Sequence, residues 1–359
     1  MKDARPRFVL ALTLCLGPLL SISCQKAPPP DPLCSFEPLP ESAKVPSGQG
    51  AIQVTATTDE YFYVVDSAGK DVGHAKLNGS VAMKPGSYEV KLNRSAHTAW
   101  VKAGTLTRCV AGTLNVKGTT DEYYYVLDAG GTELSHNKLG RSLSFLPGSY
   151  TLRVNRTEKK VEIRAGETAI VETGTLVTRG STDEYYYVLT GTGTELSHNK
   201  LDKPLAFLPG PLTISVNRTT AAAEVASGAV AEVKTGALLV QGKTDEYYYV
   251  LSATGTELAH NKLGRSLSFV EGSYTAKVNN TTLPVKVEAG KTNDYAAGTI
   301  TVRAAGTDYY YVLDGTGTEL AHAKLGGSVS LAAGKYVVKV GKESRPATVA
   351  AGQEVVVAL

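Results

Sequence analysis

Asp121-Glu122-Tyr123-Tyr124-Tyr125-Val126-Leu127 is the stretch whose reading decides the fold, because the chain repeats it. The aromatic triplet returns at Tyr185, Tyr247 and Tyr309 and, as Tyr61-Phe62-Tyr63, once before, each time 62 residues from its neighbour. Five of the six histidines keep the same step, at His74, His136, His198, His260 and His322. A period of that size marks one supersecondary unit copied along the chain, and each copy must fold beside the next. The copies fill residues 50–111, 112–173, 174–235, 236–297 and 298–359 with nothing left over.

Aligned at that step, the copies show the alternation of strands. The opening segment carries Ile52, Leu114, Leu176, Leu238 and Ile300, and two residues on Val54, Val116, Thr178, Val240 and Val302, a mostly apolar pattern of period two. A turn follows the tyrosine segment, with a glycine in every copy at Gly69, Gly131, Gly193, Gly255 and Gly317. Leu143 and Phe145 form a further inward pair, Pro147-Gly148 turns the chain, and Tyr150 to Val154 continues as strand. Asn155-Arg156-Thr157 reads as a hairpin turn into Val161-Glu162-Ile163, and a last strand runs through Ala169 and Val171. Six or seven short strands and no helical period predict an all-β chain of five tandem small β-sandwich modules. The joins are nearly continuous strand with one glycine and no proline, as in Val171-Glu172-Thr173-Gly174-Thr175-Leu176, which predicts an elongated array with limited bending. At about 3.3 Å per strand residue, five such modules would reach on the order of 125–175 Å.

The pattern Gly174-Thr175-Leu176, Tyr187-Val188-Leu189 and Leu146-Pro147-Gly148-Ser149-Tyr150 resembles the PEGA-type modules of bacterial envelope proteins. It is also similar to the wider group of prealbumin-like, carboxypeptidase-regulatory-like sandwiches. The resemblance implies an extracytoplasmic binding or scaffolding module without a catalytic role.

The first 49 residues have a different character. Lys2, Arg5 and Arg7 precede an apolar run from Phe8 to Leu20, which is the layout of a secretory signal over residues 1–23 and too short to span a bilayer. Leu20-Ser21-Ile22-Ser23-Cys24 resembles a bacterial lipobox, which makes Cys24 the lipidated first residue of the mature chain. The alternative is ordinary cleavage near Ser23 with Cys24 as a free or paired thiol. By the same resemblance, Gln25 after the cysteine points to the outer membrane, with the periplasmic or surface side left open. Residues 24–49 hold seven prolines and read as an extended spacer. Cys34 and Cys109 are then free to pair in an exported compartment. Cys109 stands in a column that is apolar elsewhere, at Val171, Val233, Tyr295 and Val357, so a buried unpaired thiol is the other reading.

The whole chain carries a formal charge of +3, and the signal alone contributes Lys2, Arg5 and Arg7 against Asp3. The remainder is near neutral, far from the basic excess that nucleic-acid binding needs.

Two sets of candidate site residues remain. In a strand, neighbouring side chains face opposite ways, so at least one ring of each triplet must look away from the core. The middle position, Phe62, Tyr124, Tyr186, Tyr248 and Tyr310, is the expected outward, ligand-binding one, suited to a sugar ring or a protein partner. The competing reading packs that ring on a loop or on the next module. An acid precedes each periodic histidine by three, as in Glu133 and His136, and carboxylate with imidazole suits zinc. Positions i and i+3 of a strand face apart, however, and Lys138 offers the acid a surface ion pair, so no metal is expected. No nucleophile sits where a base could activate it and no phosphate loop is present, so neither a catalytic residue nor a cofactor is expected. The sequence therefore predicts a non-enzymatic envelope lipoprotein, held at the membrane by its N-terminal lipid. It would act as a stalk, scaffold or multivalent adhesion-type module for an envelope or surface protein. The alternative is cell-wall or surface polysaccharide binding, including peptidoglycan, through the outward tyrosines.

Overall fold

The computed structural model describes residues 33–41, 43–306 and 308–359. The signal segment and the lipidation position Cys24 lie outside the described residues. Every regular element among the described residues is a strand, and the strands make ten sheets, two for each module.

The second module shows the plan. Gly112–Lys117 is the middle of a three-stranded sheet, paired antiparallel with Ser142–Phe145 and parallel with Thr168–Glu172. The other sheet has four antiparallel strands in the order Glu133–Lys138, Tyr123–Leu127, Gly148–Val154, Thr157–Ile163. The parallel pairing joins the first strand of the module to its last, so the module closes on itself before the chain moves on. The predicted columns form the core between the sheets: Ile52, Leu114, Leu176, Leu238 and Ile300 are fully buried, as are Val54, Val116, Thr178, Val240 and Val302. The tyrosine after the turn caps this core at a corner, with Tyr150 Oη donating to the Leu146 carbonyl at 2.5 Å and Tyr336 Oη to that of Ala332 at 2.6 Å. Each opening strand begins at a glycine for which no other residue has room. A Cβ on Gly174 would lie 2.2 Å from the Ala226 carbonyl oxygen, and one on Gly112 would lie 2.2 Å from that of Arg164.

The spacer is not wholly separate from the modules. Cys34–Pro38 is a strand that adds to the open edge of the first module's smaller sheet, antiparallel to Thr105–Val110. Cys34 and Cys109 face each other in this ladder and are joined by a disulfide across 75 residues. Glu37 pairs with Arg108 at 3.0 Å, and the Lys102 ammonium sits 3.8 Å from the Phe36 ring centre. Cross-linking a loop of that length removes about 4 kcal/mol of unfolded-state freedom. Reduction should therefore destabilise the first module by about that amount and leave the intrinsic stability of the other four unchanged. Denaturant unfolding with and without dithiothreitol, read against the single tryptophan Trp100 of that module, checks this.

Candidate functional site

The tyrosine triplets face the opposite way from the expectation. Tyr124, Tyr186, Tyr248 and Tyr310 are fully buried, as is Phe62. Each middle ring shares its parity with the valine two residues on, so it lies in the core with Val126 or its copy. Burial satisfies the hydroxyls internally: Tyr124 Oη donates to the Arg141 carbonyl at 2.9 Å and Tyr186 Oη to that of Lys203 at 2.7 Å. Desolvation pushes all four buried phenols well above their ordinary pKa, and a carboxylate of the preceding module, Glu60 in the case of Tyr124, adds to the shift. The sequence held a signal for this beside the parity of the valines. Phe62 is the only ring among the triplets without a hydroxyl, and it stands at the middle position.

The flanking rings are the outward ones. Tyr185 is 46% exposed and Tyr187 42%, and the other modules repeat the arrangement, with Tyr125 and Tyr249 half-buried. His136 lies between Tyr123 and Tyr125, at ring-centre distances of 5.8 and 5.5 Å, so three rings hold one another in place. The same Tyr–His–Tyr group occurs in all five modules.

The acid and the histidine do meet, against the strand-parity argument. Leu127 is opposite Glu133 whereas Val126 is opposite Ser135, so Leu134 is the extra residue of a β-bulge. The bulge removes one step of alternation and puts Glu133 and His136 on one face, with Oε1 accepting from Nδ1 at 2.7 Å. The bond recurs at Glu195–His198, Glu257–His260 and Glu319–His322. In the first module the acid is Asp71, one methylene shorter, and its carboxylate instead accepts the Gly73 N–H. The lysine finds a different partner from the one expected: Lys138 pairs with Asp121 at 2.7 Å. Among the described residues, no three His, Cys, Asp or Glu side chains are grouped to hold a metal ion.

Where one module meets the next, a second set of residues forms a clamp. The Asn155-Arg156 hairpin has both residues at positive φ, 43° and 62°, where glycine is the usual second residue. Arginine is used at this unfavourable conformation because its side chain crosses the junction, Nη1 donating to the Glu195 carbonyl at 3.1 Å. The neighbours of Arg156 cross it too. Asn155 Nδ2 donates to the Ala206 carbonyl at 3.0 Å, and Thr157 Oγ1 accepts the Leu208 N–H at 3.1 Å. Glu122 completes the set: its carboxylate accepts the Ala206 N–H at 2.6 Å, the Thr120 hydroxyl at 2.6 Å and the Asn155 amide. Ala206 and Leu208 of the third module also pack into the core of the second.

The clamp recurs at every junction. Glu60 accepts from Ser144, Glu184 from Ser268 and Glu246 from Ser330, with Asn93, Asn217 and Asn279 beside them. It is missing from the module that has none after it in this chain. There Thr120, Glu122, Asn155 and Thr157 correspond to Gly306, Asp308, Gly341 and Glu343. The receiving face is likewise altered in the first module, where exposed Ala82 and Lys84 stand in place of buried Ser144 and Leu146.

The clamps at the first three junctions also make the floor of a groove, where the outward rings of one module stand next to the bulged strand of the next. Tyr61, Tyr63, Lys91 and Arg94 of the first module and Glu133 and His136 of the second line a groove of about 670 Å³. Tyr125, Arg153 and Arg156 face Glu195 and His198 at the second junction. Tyr185, Tyr187 and Arg218 face Leu258 at the third.

No protein-family model matches the chain, and no curated protein matches it in sequence. Among solved structures, it is similar to the TIE protein of Bacillus anthracis at 13% identity and a TM-score of 0.17, with 75% of each chain covered. The open conformation of the pilus adhesin SpaC from Lactobacillus rhamnosus GG aligns over 88% of this chain and 44% of its own, at 11% identity and a TM-score of 0.18. The major pilin subunit BcpA of Bacillus cereus aligns over 70% of this chain and 98% of its own, at 10% identity and a TM-score of 0.15. Scores this low mean that the whole chains do not superimpose, and these likenesses assign no function.

Proposed function

We propose that this chain is a non-enzymatic stalk of the cell envelope, lipid-anchored at Cys24 in the outer membrane, whose five modules hold a fixed spacing and present the same surface repeatedly to a partner. The observation that carries the reading is the junction clamp. Duplication alone would preserve a residue equally in every copy, yet Thr120, Glu122, Asn155 and Thr157 have counterparts in the first four modules and lose them in the fifth. Retention at those positions therefore follows docking to a following module. Fixing the angle at each junction turns flexible beads into a spacer of set length. The contacts that do this are directional and partly buried, and at the first two junctions residues of the next module also pack into the core of the one before, which is what stiffness needs.

Small-angle scattering of the purified chain tests the stalk, with a maximum dimension on the order of 125–175 Å expected from strand length. A much shorter dimension, or a distribution as broad as that of freely jointed modules, would sink it. Anchorage is tested on cells by comparing the native chain with Cys24→Ser, which should appear in the soluble fraction while the native chain stays with the outer membrane.

A further inference from the structure

The junction grooves pair aromatic faces with hydrogen-bonding groups of both charges, and that mixture points to a ligand class. In the first groove Lys91 and Arg94 face three acids, Glu60, Asp71 and Glu133, which leaves one negative charge in excess. In the second, Arg153 is paired with Glu158 at 2.7 Å, and Arg156 stands against Glu195. In the third, Arg218 faces Glu184 while Asp183 is paired with Lys200 at 2.7 Å, so no field of one sign repeats from groove to groove to draw in a charged polymer. The walls instead offer flat phenol rings, whose apolar faces suit the C–H face of a sugar, beside imidazole, carboxylate and guanidinium groups that suit its hydroxyls.

We propose that these grooves bind an uncharged linear polysaccharide, each taking a short run of sugar units. Three features favour such a ligand over a folded protein partner. The rings are held in advance by the Tyr–His–Tyr packing, and the Glu–His bond holds the imidazole, so little side-chain freedom is lost on binding. The volume of about 670 Å³ is that of a small-molecule cleft, not of a broad protein interface. The same groups also recur at module spacing, which matches a polymer whose own units repeat and which gains by avidity from several weak contacts. Each groove has walls from two modules, so the proposal rests on the fixed junctions of the stalk.

The test uses the full chain and three probes, cellohexaose and chitohexaose as neutral glycans and an oligogalacturonate as an anionic one, with binding followed by calorimetry and saturation-transfer NMR. At least one neutral glycan should bind in preference to the anionic one. The quadruple variant Tyr63→Ala, Tyr125→Ala, Tyr187→Ala, Tyr249→Ala should bind it about tenfold more weakly or worse. The matching quadruple Tyr→Phe variant keeps the rings and should retain most of the binding, which separates stacking from misfolding. Absence of binding by both neutral glycans, preference for the anionic one, or equal binding by the alanine variant would overturn the proposal. Solution scattering separates the two readings: an unchanged long dimension without glycan binding removes the sugar sites alone, whereas a collapsed dimension removes the stalk as well.

Discussion

Glu122→Ala is expected to uncouple the second module from the third, while Asp308→Ala, at the equivalent position of the fifth, is expected to be silent. Glu122 is the acceptor for two groups on its own module and for the Ala206 N–H on the next. Removing it leaves that N–H and the Asn155 amide without their charged partner in a partly buried place. Loss of hydrogen bonds to a charged acceptor, with donors left behind, costs about 3 kcal/mol. In a linear repeat protein that cost falls on the nearest-neighbour coupling and not on the intrinsic stability of a module. The variant should therefore unfold in two separated thermal transitions where the native chain shows coupled unfolding, and its scattering dimension should broaden. Asp308→Ala should stay within about 0.5 kcal/mol of the native chain. Equal behaviour of the two variants would mean that the clamp carries no coupling.

The second expectation concerns adjacent rings. Tyr186→Ala should cost about 3–5 kcal/mol, since it empties a fully buried ring site and removes the hydrogen bond to the Lys203 carbonyl. A 62-residue module has only about 3–9 kcal/mol of its own, so this loss leaves the third module unfolded or held by its neighbours alone. Tyr185→Ala, one residue earlier and 46% exposed, should cost less than about 1 kcal/mol. Tyr186→Phe should cost only about 1 kcal/mol, the worth of the hydroxyl bond, and Phe62 shows the first module already living with that change. Hydrogen exchange resolved by module would report all three. Comparable losses for Tyr185→Ala and Tyr186→Ala would refute the inward assignment.

Strand identity and the tandem all-β plan were legible because a period of two within a period of 62 leaves little freedom. The direction of the tyrosine triplet was not, because three aromatic residues in a row satisfy either parity. The choice rests on Val126 and its copies, which extend the parity of the middle ring toward the core. The Glu133–His136 contact was hidden by the bulge at Leu134, a one-residue insertion that a count of alternation does not reveal. The Asn-Arg-Thr triplets were readable as hairpin turns, since Asn155 and Arg156 do form one. Their second role was not readable, because their partners lie 39 to 51 residues further along the chain.

The amino-acid sequence by itself determined that this protein is a row of small all-β units, because alternation and turn chemistry act over a few residues and recur in all five copies. What stands between the units was decided only by the tertiary structure. Whether a tyrosine lines a core or a groove, and whether a turn asparagine is idle or holds the next module, depends on which surfaces meet, and that is set by the closure of two sheets and the seating of one module on another.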